Sequence, residues 1–379
     1  MYAPNRVNAL QLQTVELLTV KPPDQITELR ASLNRREIPA LNGIRAVSVI
    51  AVMLYHFDVK WGSGHYGVMF FFVLSGFLIT HLLLKENAKT GTISIRDFYI
   101  RRSLRIFPAF YVFLAVYITA LLLVRKPVLW DQMLASATYV RNYFEALWHR
   151  EPTQAMHTWS LAVEEQFYLL WPFLFVRLRK NLPLLLKYLV AFIAVVWIYR
   201  GILSFLGLGK NYIYYAFDTR ADALAIGCAM SIAIVLGKSQ LGPVISRIWI
   251  GAAAMAAVIG FRVATEMGIP HFNAVIVNSV VPVLFAILIV SAIRFHESPL
   301  YSWLDHPLMR FTGVISYPLY LYHVLADNVA NRLPEWLRLP AEFAVSFALA
   351  TLSYYCVERY FLRLKDRVFS KPAAVAAGA

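Results

Sequence analysis

Charge is scarce in this sequence. Only 15% of its 379 residues are Asp, Glu, Lys or Arg, against about 25% in soluble domains, and 59% are hydrophobic. A water-soluble chain of this length has no core large enough to hide so much apolar surface, so a bilayer must solvate the excess. Cysteine is nearly missing: Cys228 and Cys356 both lie in apolar segments, and no CxxC or Cys/His metal spacing occurs. That excludes a disulfide framework, gives no metal cofactor, and leaves both thiols as expected small core residues. The first 38 residues contain no apolar run. They do not form a cleavable signal peptide, and the first hydrophobic segment is expected to persist as an anchor. No internal repeat and no soluble domain of useful size is evident.

Acid is the scarcer sign, with 22 Asp and Glu against 36 Lys and Arg, a net charge of +14. Positive-inside bias and attraction to anionic lipid account for it. Nucleic-acid binding would need a continuous basic face, and none is present outside the membrane loops. Aromatics are plentiful, at 25 Phe, 21 Tyr and 9 Trp, as expected for interfacial belts and compatible with a pocket for a large ligand.

Apolar runs of about 20 residues, enough to span a bilayer, fall near 41–58, 66–84, 104–124, 160–177, 183–200, 218–237, 248–264, 274–293, 309–327 and 341–361. The expected fold is all-α, a polytopic bundle of about ten transmembrane helices. Residues 1–38 read as a cytosolic tail bearing Arg6, Lys21, Arg30, Arg35 and Arg36, 39–365 as the membrane domain, and 366–379 as a second cytosolic tail. Placing most Lys and Arg inside puts both termini in the cytosol. The connector 125–158, with Trp130, Tyr139, Tyr143 and Trp148, reads as interfacial or re-entrant helix.

Ionisable groups at membrane depth cost at least ~2.5 kcal/mol each on insertion, so those present call for a reason. Arg45 and His56 are 11 residues apart, close to three helical turns, on one stripe about 16 Å long. His56 is either a satisfied core histidine or a group that moves a proton near neutral pH. Ser75-Gly76 serves either close helix packing or close approach to a ligand. Arg101, Arg102 and Arg105 open the third span. They are either a positive-inside anchor or, with Arg102 and Arg105 on one face, a pair suited to phosphate. Glu164 and Glu165 begin the fourth span after His157-Thr158-Trp159-Ser160. They either complement the helix N-terminus or include a carboxylate that supports a histidine. Asp218, Arg220 and Asp222 read as an internal ion pair that positions helices. Ser316, Tyr320 and His323 share one face of the ninth span, with His323 near the interface. Glu358 and Arg359 read as an interfacial pair.

Taken together, these segments resemble the acyltransferase-3 family of membrane O-acyltransferases. The residues that carry the likeness are Arg45 with His56, Gly67-Val68 through Ser75-Gly76-Phe77-Leu78, Arg101-Arg102 with Arg105-Ile106 and Pro108, Trp159-Ser160-Leu161 with Val163-Glu164-Glu165-Gln166-Phe167-Tyr168, Asp218 to Gly227, and Ser316-Tyr317 with Leu319-Tyr320-Leu321 through His323. They run in order over about residues 38–365.

The resemblance implies an O-acyltransferase of a bacterial cell membrane, moving an acyl group from cytosolic acyl-CoA, acetyl-CoA first among donors, to a hydroxyl of a surface or lipid-linked glycan such as lipopolysaccharide, exopolysaccharide or peptidoglycan. His56 would be the acid–base residue, supported by Glu164 or Glu165. Arg45, Arg101, Arg102 and Arg105 would serve the donor, and Trp159, Ser75, Tyr168 and His323 would serve the substrate. Some members carry a fused extracytoplasmic esterase-like domain. None is read here, so the chain is expected to complete transfer itself or to hand the acyl group to a separate extracytoplasmic protein. Two other readings stand beside it. A transporter or flippase for a sugar or lipid-linked saccharide would use buried charge as a solute path but calls for inverted repeats, which are not evident. A structural or receptor-like membrane protein leaves the polar stripes without purpose.

Overall fold

The computed structural model describes residues 25–35, 37–60, 62–237, 241–330 and 333–369. Among them regular structure is helical, without strands, as a chain that must satisfy its backbone hydrogen bonds inside lipid requires. The main helices are α1 (Gln25–Asn34), α2 (Leu41–His56), α3 (Gly64–Thr90), α4 (Ile95–Leu123), α5 (Trp130–Ala137), α6 (Arg141–Trp148), α7 (Trp159–Leu178) and α8 (Leu182–Phe205). They continue as α9 (Lys210–Tyr215), α10 (Ala221–Leu236), α11 (Ile248–Thr265), α12 (Asn278–Arg294), α13 (Pro307–Val314), α14 (Ser316–Ala330), α15 (Glu335–Ser353) and α16 (Arg359–Phe369). Among the described residues, five helices are long and apolar enough to cross a membrane: α3, α4, α8, α11 and Phe272–Arg294, which includes α12. Helices α2 and α10 are apolar but shorter.

Helix α3 is the axis of the bundle. Of its most apolar stretch 78% is buried, against 17% for α8 and α11, which turn their apolar sides outward. Helices α3 and α10 pack backbone to backbone through glycine. A methyl group on Gly76 would sit 1.9 Å from the Leu224 carbonyl oxygen, and one on Gly227 would sit 2.0 Å from that of Val73. Small residues permit this approach, and dispersion and packing then hold the helices in a lipid solvent that offers no hydrophobic drive between them. The packing reading of Gly76 is therefore correct, while Ser75 beside it does something else.

Several local expectations change. Residues 25–34 of the expected tail form a docked helix, with Leu29 and Leu33 buried. Arg30 donates to the carbonyls of Ile234 and Val235, the unpaired C-terminal end of α10, where a cation is favoured. Arg6, Lys21 and Arg36, and residues 370–379, lie outside the described residues. Cys228 is buried but Cys356 is exposed, so only one thiol is a core residue. The connector 125–158 folds as α5, α6 and a turn at Met156–Thr158. Within α6 Arg141 and Glu145 form a buried ion pair at 2.5 Å, and Arg141 also donates to Gln132 of α5 at 3.0 Å; Trp130 and Trp148 are exposed.

Candidate active site

Helices α2, α3, α4 and α7 bring the inner arginines and carboxylates to one level. The Ser75 hydroxyl donates to Glu164 Oε1 at 2.8 Å. Arg102 lies flat on the Tyr168 ring, 3.6 Å from its centroid, with its Nε 3.8 Å from Glu165 Oε1. Arg45 and Arg105 share this neighbourhood. Neither has a hydrogen bond or ion pair among the described residues. Protein surrounds both, yet Arg45 is half-buried and Arg105 exposed, so they line an internal recess. Guanidinium groups without a direct protein partner are suited to receive an anionic ligand there.

Glu358 also turns inward toward Arg105, while Arg359 packs over the Tyr355 ring. The expected interfacial Glu358–Arg359 pair is not formed. The π-helical turn Tyr354–Glu358 shifts the helical register, which periodicity of 3.6 does not foresee. Arg101 stays outside the recess, bound to Glu86 at 2.6 Å.

The histidine end of α2 opens on a second site, a cavity of about 600 Å³ whose wall includes Tyr55, His56, His157, Trp159, Tyr214 and Tyr320. His56 Nδ1 lies 2.9 Å from the Val52 carbonyl. A carbonyl only accepts, so Nδ1 carries the proton and Nε2 keeps its lone pair in an exposed ring on the cavity wall. His323 is wholly buried behind it, centroids 4.7 Å apart, rather than interfacial. Its Nδ1 donates to the Tyr320 carbonyl at 2.8 Å, which leaves its Nε2 as an unpartnered acceptor. His157 completes a row of three imidazoles, 5.3 Å from His323. No group of His, Cys, Asp or Glu among the described residues could hold a metal ion.

Neither glutamate pairs with His56 among the described residues. Both belong to the arginine recess, and a backbone carbonyl orients the histidine instead. Of the residues expected at the substrate, Trp159 lines the cavity and His323 lies behind it, whereas Ser75 and Tyr168 belong to the recess. Between the two sites sits Tyr320. Its hydroxyl donates to the His157 carbonyl at 2.8 Å and shares a 2.6 Å hydrogen bond with Ser160, and its ring meets Phe71. Ser160 and Phe71 are each four residues before Glu164 and Ser75, so this layer is about 6 Å, one helical turn, from the Ser75–Glu164 bond.

The cavity wall is braced from behind. Asp222 pairs with Arg200, not Arg220, through two hydrogen bonds of 2.9 and 3.2 Å. Arg220 donates to Asn278 at 2.8 Å and lies over the rings of Trp159 and Tyr214. Asp218 accepts from Tyr143 and Tyr212. The sequence order Asp-Thr-Arg-Ala-Asp suggested an internal pair, but the 3-10 turn Phe217–Thr219 takes Asp218 off the helix that carries Asp222. Sequence reasoning left His157 out of the candidate set. Its only signal was a titratable residue at the mouth of a membrane helix.

The sequence model of a family described as an acyltransferase domain matches residues 38–358. The chain belongs to that acyltransferase family. The match takes in every residue of both sites. The chain is 30% identical to the peptidoglycan O-acetyltransferase OatA of Listeria monocytogenes, over 88% of this chain and 58% of the relative. It is 27% identical to the putative peptidoglycan O-acetyltransferase YrhL of Bacillus subtilis, over 89% and 57%. It is 30% identical to the O-acetyltransferase OatA of Staphylococcus aureus, over 85% and 57%. The chain thus spans less than two-thirds of the length of these curated relatives. No solved structure matches it.

Proposed function

We propose that this chain is a multi-pass cell-membrane O-acetyltransferase that takes an acetyl group from acetyl-CoA on the cytosolic side and delivers it to a hydroxyl of a cell-wall glycan. Peptidoglycan is the first candidate acceptor, because the relatives' names carry it. Ten spans with both termini in the cytosol fit this reading. The observation that carries it is the content of α2. One end puts Arg45 beside Arg102 and Arg105 in a recess lined with guanidinium groups, and the other puts His56 on the wall of a cavity, about 16 Å away along one helix.

The recess would hold coenzyme A phosphates by charge-assisted hydrogen bonds, with the pantetheine arm running along the bundle toward the cavity. Passage requires the Tyr320–Ser160 layer to move aside. In the cavity His56 Nε2 takes the proton from the acceptor hydroxyl, whose oxygen attacks the thioester carbon. An acyl-histidine formed on the same nitrogen is the alternative route. The aromatic walls suit the faces of sugar rings.

The test is transfer by the purified protein in liposomes loaded with radiolabelled acetyl-CoA and supplied outside with glycan fragments. Label should move to the glycan as an alkali-labile ester, and His56→Ala should abolish it at unchanged protein yield. Deleting the gene should remove acetyl mass from one surface glycan. Undiminished transfer by His56→Ala would remove the assigned base, and no donor dependence at all would remove the reading.

A further inference from the structure

The turn Met156–Thr158 is built with care around a side chain that uses none of it. Ala155, just before it, is buried in the left-handed region at φ 50°, a conformation that is unfavourable for a non-glycine residue and that clusters at functional sites. The His157 carbonyl accepts from Tyr320, and Thr158 Oγ1 binds the Ala155 carbonyl at 2.8 Å and Ser136 at 3.0 Å. The backbone is therefore pinned. The imidazole is 4% exposed and lines the cavity, yet neither ring nitrogen makes a well-directed hydrogen bond, although the Leu321 backbone lies close. A phenylalanine would fill this place without a desolvated nitrogen. The nitrogens are available to whatever enters the cavity.

Of the three imidazoles, His157 alone has no ring N–H committed to a backbone carbonyl in a well-directed hydrogen bond. His56 and His323 each spend their N–H on a backbone carbonyl and turn a lone pair inward. A buried imidazole with no carboxylate beside it stays neutral, and a neutral ring always carries one N–H. Resting on the acyl-transfer reading above, we propose that His157 is a catalytic hydrogen-bond donor to the thioester carbonyl oxygen, stabilising the negative charge that forms there. The acceptor O–H bond breaks as its proton passes to His56, and the new C–O bond forms. The C–S bond then breaks with its electron pair on sulfur, and the proton held by His56 passes to that thiolate. His157 keeps its proton throughout.

The experiment compares His157→Phe, which fills the space without an N–H, with His157→Gln, which restores a donor, in full-length protein alongside wild type and His56→Ala. Acetyl transfer and thermal unfolding in detergent are both measured. His157→Phe should lower kcat about 100- to 1000-fold, the loss typical of one oxyanion donor, with KM for acetyl-CoA within about threefold and an unfolding midpoint no lower than wild type. His157→Gln should recover at least about tenfold over His157→Phe. Wild-type kcat in His157→Phe while His56→Ala is dead overturns the role of His157 alone. Loss of activity that follows a fall in midpoint equally in both His157 variants also overturns it, as a packing effect. Wild-type kcat in both His56→Ala and His157→Phe overturns the acyl-transfer reading of the cavity as well.

Discussion

Ser75 on α3 and Glu164 on α7 share a 2.8 Å hydrogen bond across the bundle, and that bond commits the carboxylate to the arginines rather than to a histidine. A carboxylate that tuned His56 would have to stand at the imidazole, yet the atom there is the Val52 carbonyl oxygen. The recess and the cavity are therefore two sites with separate electrostatics, joined by helix α2.

Glu164→Gln separates the two assignments. The amide oxygen still accepts from Ser75, so the fold should hold, while one negative charge leaves the neighbourhood of Arg45 and Arg102. The expected outcome is kcat within about threefold of wild type and a KM for acetyl-CoA that is unchanged or lower. A fall in kcat of the general-base size, about 100-fold or more, would return the glutamate to the chemistry.

Arg45 and Arg105 should behave unlike Arg102. The first two make no direct hydrogen bond or ion pair among the described residues, so Arg45→Ala and Arg105→Ala should leave the unfolding midpoint near wild type. Each should raise KM for acetyl-CoA by about tenfold, the loss of roughly 1.4 kcal/mol of binding, and should reduce its sensitivity to salt. Arg102→Ala strips Glu165 of its ion pair and Tyr168 of its covering cation, so it should lower the midpoint as well as raise KM. Steady-state kinetics at two ionic strengths with parallel melts decide the matter; equal melting losses in all three variants would mean the recess is structural.

Much of this arrangement was legible because it runs along single helices. The spacing of Arg45 and His56, or of Arg102 and Arg105, is a property of 3.6 residues per turn, and the structure keeps it. What could not be read is which helix faces which. Periodicity put Glu164 on a polar face but could not say that Ser75 and Arg102, rather than His56, stand opposite. His157 meets His323 only because the turn Met156–Thr158 comes against α14. Glu358 was misread because a π turn rotates it inward, and Asp222 because Arg200 on α8 reaches it first.

Gly76 tests the packing that holds Ser75 in place. In Gly76→Ala the methyl group would lie 1.9 Å from a backbone oxygen of α10, and neither helix can give way locally, because Gly227 makes the reciprocal contact. The helices must separate, which loses dispersion contacts along the central seam. The expected result is a marked drop in the monodisperse fraction after extraction and in the unfolding midpoint. A change at Gly260, where a methyl meets nothing within 4 Å, should be silent and serves as the control.

Arg200 and Asp222 carry the last test, because they show how a charge can be deep in this protein without a part in its chemistry. Both are buried, at 0% and 2% side-chain exposure. The pair is closed off by Thr219, Ser279 and the Trp197 indole N–H, which donates to Asp222 at 2.9 Å. Removing one partner strands the other, at a cost of about 3–5 kcal/mol, so Arg200→Met and Asp222→Leu should each lower the unfolding midpoint sharply. Replacing both with apolar residues removes the desolvation cost on each side, and Arg200→Met with Asp222→Leu should recover most of the lost stability. Transfer activity should follow the folded fraction in all three variants, with KM for acetyl-CoA unchanged. A double variant that is folded but inactive would move this pair from the scaffold into the acyl-transfer site.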